Sequence, residues 1–277
     1  MIRIEKLGFS YGQVPVLKNI TMNLEPGKIY GLLGENGVGK TTLLTLLAGL
    51  KKPLQGSIDI DGSAPYSRTP QVLDNQFYLA DEMLPVPMKA AEYARITGEF
   101  WPNYKQDTFE EIMELFENTS DKKMNEMSTG QLKKTYISLA LALGCKYLFL
   151  DEPTNGLDIP SKAQFRSALM KYTGEDSTIV ISTHQVRDLE NIIDPIIILD
   201  RQDVLLNASL EEISRKLYFD YGTQLHPESL YSEQLPGGFI QVYPNAEGAD
   251  SKVNIEALFN AVHHNKEFIK GLFAETL

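Results

Sequence analysis

Gly34-Glu35-Asn36-Gly37-Val38-Gly39-Lys40-Thr41 follows a continuous apolar run, Ile29-Tyr30-Gly31-Leu32-Leu33, and opens a strongly apolar stretch from Thr41 to Ala48. Glycines at that spacing, between a buried strand and a helix, let successive backbone N–H groups turn inward around an anion. The helix that follows adds the positive end of its dipole. A phosphate chain is the ligand this pattern fits. Lys40 is placed to reach the terminal phosphates, and the Thr41 hydroxyl to ligate Mg²⁺. A second constellation lies at Tyr147-Leu148-Phe149-Leu150-Asp151-Glu152, an apolar strand that ends in two acids. Open α/β sheets bind ligands at the carboxyl ends of their strands. Asp151 is therefore expected to face the Mg²⁺ site through a water. Glu152 is expected to polarise the water that attacks the terminal phosphate. Solvated acids at the end of a strand are common, so it is the pairing with the phosphate loop that gives this element weight.

The surrounding pattern supplies elements to hold these residues. The opening alternates in polarity through Ile2, Ile4 and Leu7 and again through Ile20–Leu24, as antiparallel strands do, and Ser57–Gly62 returns to that pattern. From about Met88 to Leu143 the periodicity is helical, broken near Pro102 and at Asn118–Asp121. Strand and helix then alternate, with strands at Tyr147–Leu150, Thr178–Ser182 and Ile196–Leu199 and a helix at Ser161–Tyr172. That alternation predicts a mostly parallel sheet flanked by helices. Beyond about Asn207 the chain changes character. It has a turn at Pro236-Gly237-Gly238, a strand at Phe239–Tyr243, and a late helix with Ile255, Leu258, Phe259 and Val262 on one face.

Composition narrows the setting. The 277 residues carry a formal charge of −11. That balance argues against nucleic acid as the partner and against direct adhesion to an anionic membrane. No apolar stretch approaches bilayer length, and the Met1–Glu5 start lacks the apolar core of a signal peptide. The single Cys145 fits a reducing compartment and reads as a small buried residue between a helix and a strand. His226, His263 and His264 fit no site and read as surface residues.

Met127-Ser128-Thr129-Gly130-Gln131 opens another helix, with Leu132, Tyr136, Leu139 and Leu143 on one face. Locally it is a capping box, Ser128 capping and Gln131 reaching back. The segment also resembles the signature of the ABC ATPases, Leu-Ser-Gly-Gly-Gln in most members, with Met127 for the leucine and Thr129 for the first glycine. The resemblance extends along nearly all of residues 1–205. Asp151-Glu152-Pro153-Thr154-Asn155-Gly156-Leu157-Asp158 is similar to the family's acidic strand and D-loop, and Ser182-Thr183-His184 to its switch-histidine segment.

The resemblance implies a fold, a chemistry and partners. The fold is α/β: a P-loop NTPase core with an N-terminal antiparallel subdomain and an inserted helical subdomain over about 84–143. Together these form an ATPase domain over 1–206, followed by a small α+β accessory extension over 207–277. The implied cofactors are ATP and Mg²⁺. Catalysis falls to Glu152, His184 and Lys40. Nucleotide contacts fall to Tyr11, which stacks on adenine, and to Gly34, Glu35, Asn36, Gly37, Val38, Gly39, Lys40, Thr41 and Thr42. Ser128, Gly130 and Gln131 contact the ATP of a second cassette, so a homodimer or heterodimer is required. The metal set is Thr41, Asp151 and Asp81, the last standing where the family usually has glutamine. Asp81 and the Trp101-Pro102-Asn103-Tyr104 pattern look most like ABC-2 exporter cassettes, which sit at the cytoplasmic face beneath separate membrane permease subunits. The segment Tyr78–Tyr104 is the candidate docking surface, with packing of Phe100, Trp101 and Tyr104 in the helical subdomain as the equal alternative. A non-transport ABC ATPase acting on the ribosome or DNA is the alternative function.

Overall fold

The computed structural model describes residues 1–274. The chain begins with two long antiparallel strands, β1 (Ile2–Tyr11) and β2 (Val14–Leu24), followed by β3 (Ile29–Leu33), helix α1 (Lys40–Leu47) and β4 (Gln55–Ile60). Next come a short α2 (Pro70–Leu73) and β5 (Gln76–Leu79), then three helices, α3 (Ala90–Gly98), α4 (Gln106–Leu115) and α5 (Thr129–Ala142). The α/β alternation resumes with β6 (Tyr147–Asp151), α6 (Ile159–Tyr172), β7 (Thr178–Thr183), β8 (Ile196–Asp200) and β9 (Asp203–Ala208). The last part holds α7 (Leu210–Lys216), β10 (Leu217–Gly222), β11 (Tyr231–Leu235), β12 (Gly238–Pro244), α8 (Ile255–His264) and α9 (Lys266–Leu272).

Three sheets result. β2-β1-β4 is antiparallel, β5-β6-β7-β3-β8-β9 is the main sheet, and β10-β12-β11 is a small antiparallel sheet near the end of the chain. In the main sheet β5, β6, β7, β3 and β8 are parallel, and β9 pairs antiparallel with β8 at one edge. β6 is buried along its whole length, so its side chains divide between the two faces without a polar alternation. Tyr147 and Phe149 join Leu43, Leu44 and Leu47 of α1 and the inner residues of β1 and β2 on one side. Leu148 and Leu150 join α5, α6 and the three-helix region on the other. α1 is buried nearly all round, which explains why its sequence is apolar on every face.

The late elements share the second core through Leu217, Val242, Ile255, Leu258 and Val262. Ion pairs fasten them to the main sheet, Lys266 to Asp200 and Lys270 to Asp203, and to the connection between β7 and β8, Arg187 to Glu256 at 2.7 Å. His263 is consequently not a surface residue. It is enclosed beneath Phe259 and beside Asp200, at 3.9 Å. His226 stacks on Tyr243 at 3.9 Å, and of these three histidines His264 alone is exposed. Cys145 is buried, and burial pushes its thiol up to about 12. Trp101 and Tyr104 pack against the core, Trp101 donating its indole N–H to the Gln76 carbonyl at 3.2 Å, while Phe100 is exposed. Among the described residues no helix is long and apolar enough to cross a membrane.

Candidate nucleotide site

The ends of β3, β5 and β6 converge on one cavity of about 390 Å³, lined by Tyr11, Val16, Asn36, Gly37, Gly39, Lys40, Thr41, Thr42, Asp81, Asp151 and Glu152. The loop after β3 can take its path only with glycine at two kinds of position. A Cβ on Gly34 would lie 2.6 Å from the Leu199 carbonyl oxygen, and Gly37 and Gly39 have φ of 82° and 112°. Lys40 folds back under the loop, donating to the carbonyls of Gly34 at 2.7 Å and Glu35 at 3.2 Å. Its ammonium is nearly buried, and burial lowers its pKa against the opposing pull of Glu152 and Asp151. The loop thus holds a largely desolvated positive charge against its own carbonyls. Tyr11 stands half-exposed at the rim, its hydroxyl 3.3 Å from Thr42 Oγ1 and its ring edge-on to Phe9.

At the other wall, Asp151 is buried and surrounded by hydroxyls. Thr41 Oγ1 donates to Asp151 Oδ2 at 2.7 Å, Tyr78 OH to the same oxygen at 3.2 Å, and Ser182 Oγ to Oδ1 at 2.5 Å. Burial, with Asp151 beside it, drives the Tyr78 phenol well above its ordinary range, so it stays a donor. Glu152 follows with φ of +47°, a left-handed conformation costly for a residue with a Cβ. Such strain persists only where neighbours over-determine it. Here the Glu152 N–H donates to both the carbonyl and the hydroxyl of Ser182 at 3.1 Å, and its own carbonyl accepts from Lys133 Nζ at 2.8 Å. Its side chain is turned toward the cavity, Oε1 lying 2.9 Å from His184 Nδ1 and 3.8 Å from Lys40 Nζ.

A family model described as ABC transporter matches residues 17–155. The chain belongs to the ABC transporter ATP-binding family. It is an ATP-binding cassette of the ATPase kind. Among relatives, the uncharacterized ABC transporter ATP-binding protein MJ1023 of Methanocaldococcus jannaschii is 29% identical, covering 84% of this chain and 88% of that one. The uncharacterized ABC transporter ATP-binding protein YdbJ of Bacillus subtilis is 32% identical over 76% of this chain and 70% of its own. The fold is shared with a dimeric cassette, MJ0796, solved in a post-hydrolysis state with ADP and Pi. Its TM-score is 0.67 at 23% identity, covering 76% of this chain and 99% of that one.

Within this cassette the remaining residues divide. Gly34 and Glu35 serve through their carbonyls, which seat Lys40, and Val38 packs beside Gly34. Ser128, Gly130 and Gln131 do not line the cavity. Ser128 and Gln131 form the capping box of α5, with Gln131 N–H donating to Ser128 Oγ at 3.3 Å and Ser128 N–H to Gln131 Oε1 at 3.1 Å. Lys122 also donates to Gln131 Oε1, which occupies that side chain. Asp81 reaches the cavity, but its Oδ1 accepts from Lys133 at 2.8 Å and from Asn155 at 3.3 Å. The sequence pattern assigns no nucleotide contact, metal or catalytic role to Tyr78, Ser182 or Lys133. Tyr78 follows from the alternation of β5, which turns residue 78 to the Phe149 face of its neighbour β6. Ser182 carried a signal in its place two residues before His184. Lys133 carried none, being one lysine of a Lys-Lys pair on a helix.

Proposed function

We propose that this cassette hydrolyses ATP while sandwiched against a second cassette, and that the closing and opening of the pair drives separate integral membrane permease subunits. The observation that carries this reading is a half-site. Phosphate loop, Asp151 and Glu152 line one cavity, while the signature segment, with its exposed Ser128, lies elsewhere on the surface. A second chain supplies that missing wall, Ser128 and Gly130 of one cassette facing the terminal phosphate held by Lys40 of the other.

Within the half-site each residue has a task. The loop amides and Lys40 bind the phosphates, Tyr11 takes the adenine, and Asn36 and Thr42 complete the lining. Thr41 Oγ1 and Asp151, already bonded to each other, form a hard oxygen pair suited to Mg²⁺. The ion, when bound with the nucleotide, neutralises charge on the phosphate oxygens. Glu152 accepts a proton from the attacking water, and His184 holds its carboxylate in place through the 2.9 Å contact while remaining near the terminal phosphate. Loss of that phosphate removes the link between the two chains and releases the pair.

The chain fits a cytoplasmic location beneath the membrane, and export is the direction supported by its resemblance to ABC-2 exporter cassettes. The ATPase domain is 1–206. The extension 207–277 is an accessory to it, of which 275–277 lie outside the described residues. Ser128→Arg tests the composite site. It should leave ATP affinity of the single chain within about threefold and abolish the dimer that MgATP induces when hydrolysis is blocked. A dimer that persists would remove Ser128 from the interface.

A further inference from the structure

The side chain of Lys133 is only 4% exposed and bonds to no phosphate-loop residue, yet every one of its three N–H donors is committed. One goes to Asp81 Oδ1 at 2.8 Å, one to the Asp81 carbonyl at 3.3 Å, and one to the Glu152 carbonyl at 2.8 Å. A buried charge satisfied in this way is costly to place and costly to unbalance. It therefore ties whatever it touches into one body. Asp81 extends the tie, since its two carboxylate oxygens accept from Asn155 Nδ2 at 3.3 and 3.4 Å. Tyr136, one turn further along α5, donates to the Leu84 carbonyl at 2.8 Å and fixes the loop after β5 from the same helix.

We infer that Lys133 is a positioning residue for hydrolysis, binding the helix behind the signature segment to Asp81, to the D-loop and to the strained backbone of Glu152. This inference rests on the role given to Glu152 above. The carbonyl that Lys133 holds is that of the residue at φ +47°, whose side chain must point at the attacking water. Without the ammonium, that peptide loses the shorter of the two bonds on its carbonyl and keeps the Asn155 N–H there at 3.1 Å, beside the Ser182 bonds to its own N–H. The same geometry gives Asp81 its purpose at the place where the family resemblance leads one to expect glutamine. Its carboxylate is the counter-charge for Lys133 and the anchor for Asn155, so the metal is left to Thr41 and Asp151. Because Ser128 caps the N-terminus of α5, a force on the signature end reaches Glu152 through one side chain of that helix.

The test uses the full-length chain with Lys133→Met, Asp81→Ala and the double variant, beside Glu152→Gln. Lys133→Met should keep ATP affinity by calorimetry within about threefold, lower kcat at least about tenfold, and leave the Mg²⁺ concentration for half-maximal turnover unchanged. Hydrogen exchange of the Asn155 amide, which donates to the Glu152 carbonyl at 3.1 Å, should speed up about tenfold in the nucleotide-free protein. Asp81→Ala, at a side chain 38% exposed, should do the same, and the double variant should be no slower than the worse single one. A melting temperature that falls while kcat and D-loop exchange stay at wild-type values would overturn the inference. Multiplying effects in the double variant, or a raised Mg²⁺ requirement in Asp81→Ala alone, would do so as well. If Lys133→Met does not fold, Asp81→Ala decides by the same kcat, Mg²⁺ and exchange criteria. Normal turnover by Glu152→Gln would show that the site assignment itself had failed. A stalled Glu152→Gln beside a normal Lys133→Met would remove Lys133 alone.

Discussion

Ser182→Ala removes one oxygen from the floor of the site and tests how Asp151 is held. Ser182 is fully buried, and its Oγ donates to Asp151 Oδ1 at 2.5 Å. A hydrogen bond to a charged partner contributes about 1.5–3 kcal/mol. The Glu152 N–H, which also uses this hydroxyl, keeps the Ser182 carbonyl at 3.1 Å, so no further orphan is created. The expected cost is therefore about 2 kcal/mol. At about 2.1 cal/mol/K per residue, unfolding 277 residues carries an entropy of about 580 cal/mol/K, so the melting point should fall by about 3–4 °C. Function should suffer more than stability, because Asp151 loses the partner that orients it toward Thr41. Loss of such an outer partner typically costs about 10–100-fold in metal affinity or activity. The assay is thermal unfolding together with turnover as a function of Mg²⁺, with Ser138→Ala as control. Ser138 is equally buried, but its hydroxyl donates only to the Lys134 carbonyl of its own helix, at 2.8 Å. Ser138→Ala should cost about 1 kcal/mol or less and leave the kinetics untouched. If Ser182→Ala melts within about 1 °C of wild type and needs no more Mg²⁺, Asp151 is not positioned by this hydroxyl.

Lys40→Ala should weaken ATP binding by at least about 10–100-fold in calorimetry, the size of a lost charge-assisted bond to phosphate, whereas wild-type affinity would contradict the phosphate-loop assignment. Cys145 offers a pH test. Burial raises its thiol to about 12, so the reactive thiolate is scarce at pH 8 and becomes abundant only as pH rises toward that value. A disulfide reagent at pH 8 should therefore leave the native chain unlabelled and count one thiol after denaturation; rapid labelling of the native protein would show that the packing between α5 and β6 is wrong.

The elements that hold the nucleotide site were legible because each has a local physical signature. A strand buried on both faces reads as an unbroken apolar run, as in β3 and β6, and a glycine loop between strand and helix has few other uses. α6 was legible from the alternation of strand and helix, but its expected start at Ser161 is two residues late, because Asp158 caps the helix by accepting from the Ser161 N–H at 2.9 Å with Pro160 in the first turn. β9, β10 and β11 escaped sequence reasoning because edge and small-sheet strands are short and partly polar, so their alternation is weak. The setting of His263 depended on Asp200 and Lys266, groups brought together only by the docking of α8 and α9 on the main sheet. Lys133 is the instructive case. Nothing in the run Gln131-Leu132-Lys133-Lys134 distinguishes the lysine that anchors Glu152 from its neighbour Lys134, which caps the Phe116 carbonyl on the other side. Only the crossing of α5 over the ends of β5 and β6 does so.

In the proposed cycle Glu152 activates water in a pocket that a second cassette completes. Its most direct test is Glu152→Gln, mixed with ATP and Mg²⁺, followed by sizing and by phosphate release in a single turnover. The side chain keeps its size and loses its basicity, so nucleotide should be retained, release should slow at least about 100-fold, the low end for a lost general base, and the chain should elute as a dimer. Release at the wild-type rate, from a chain that remains a monomer, would remove both Glu152 as the base and the second cassette as the missing wall.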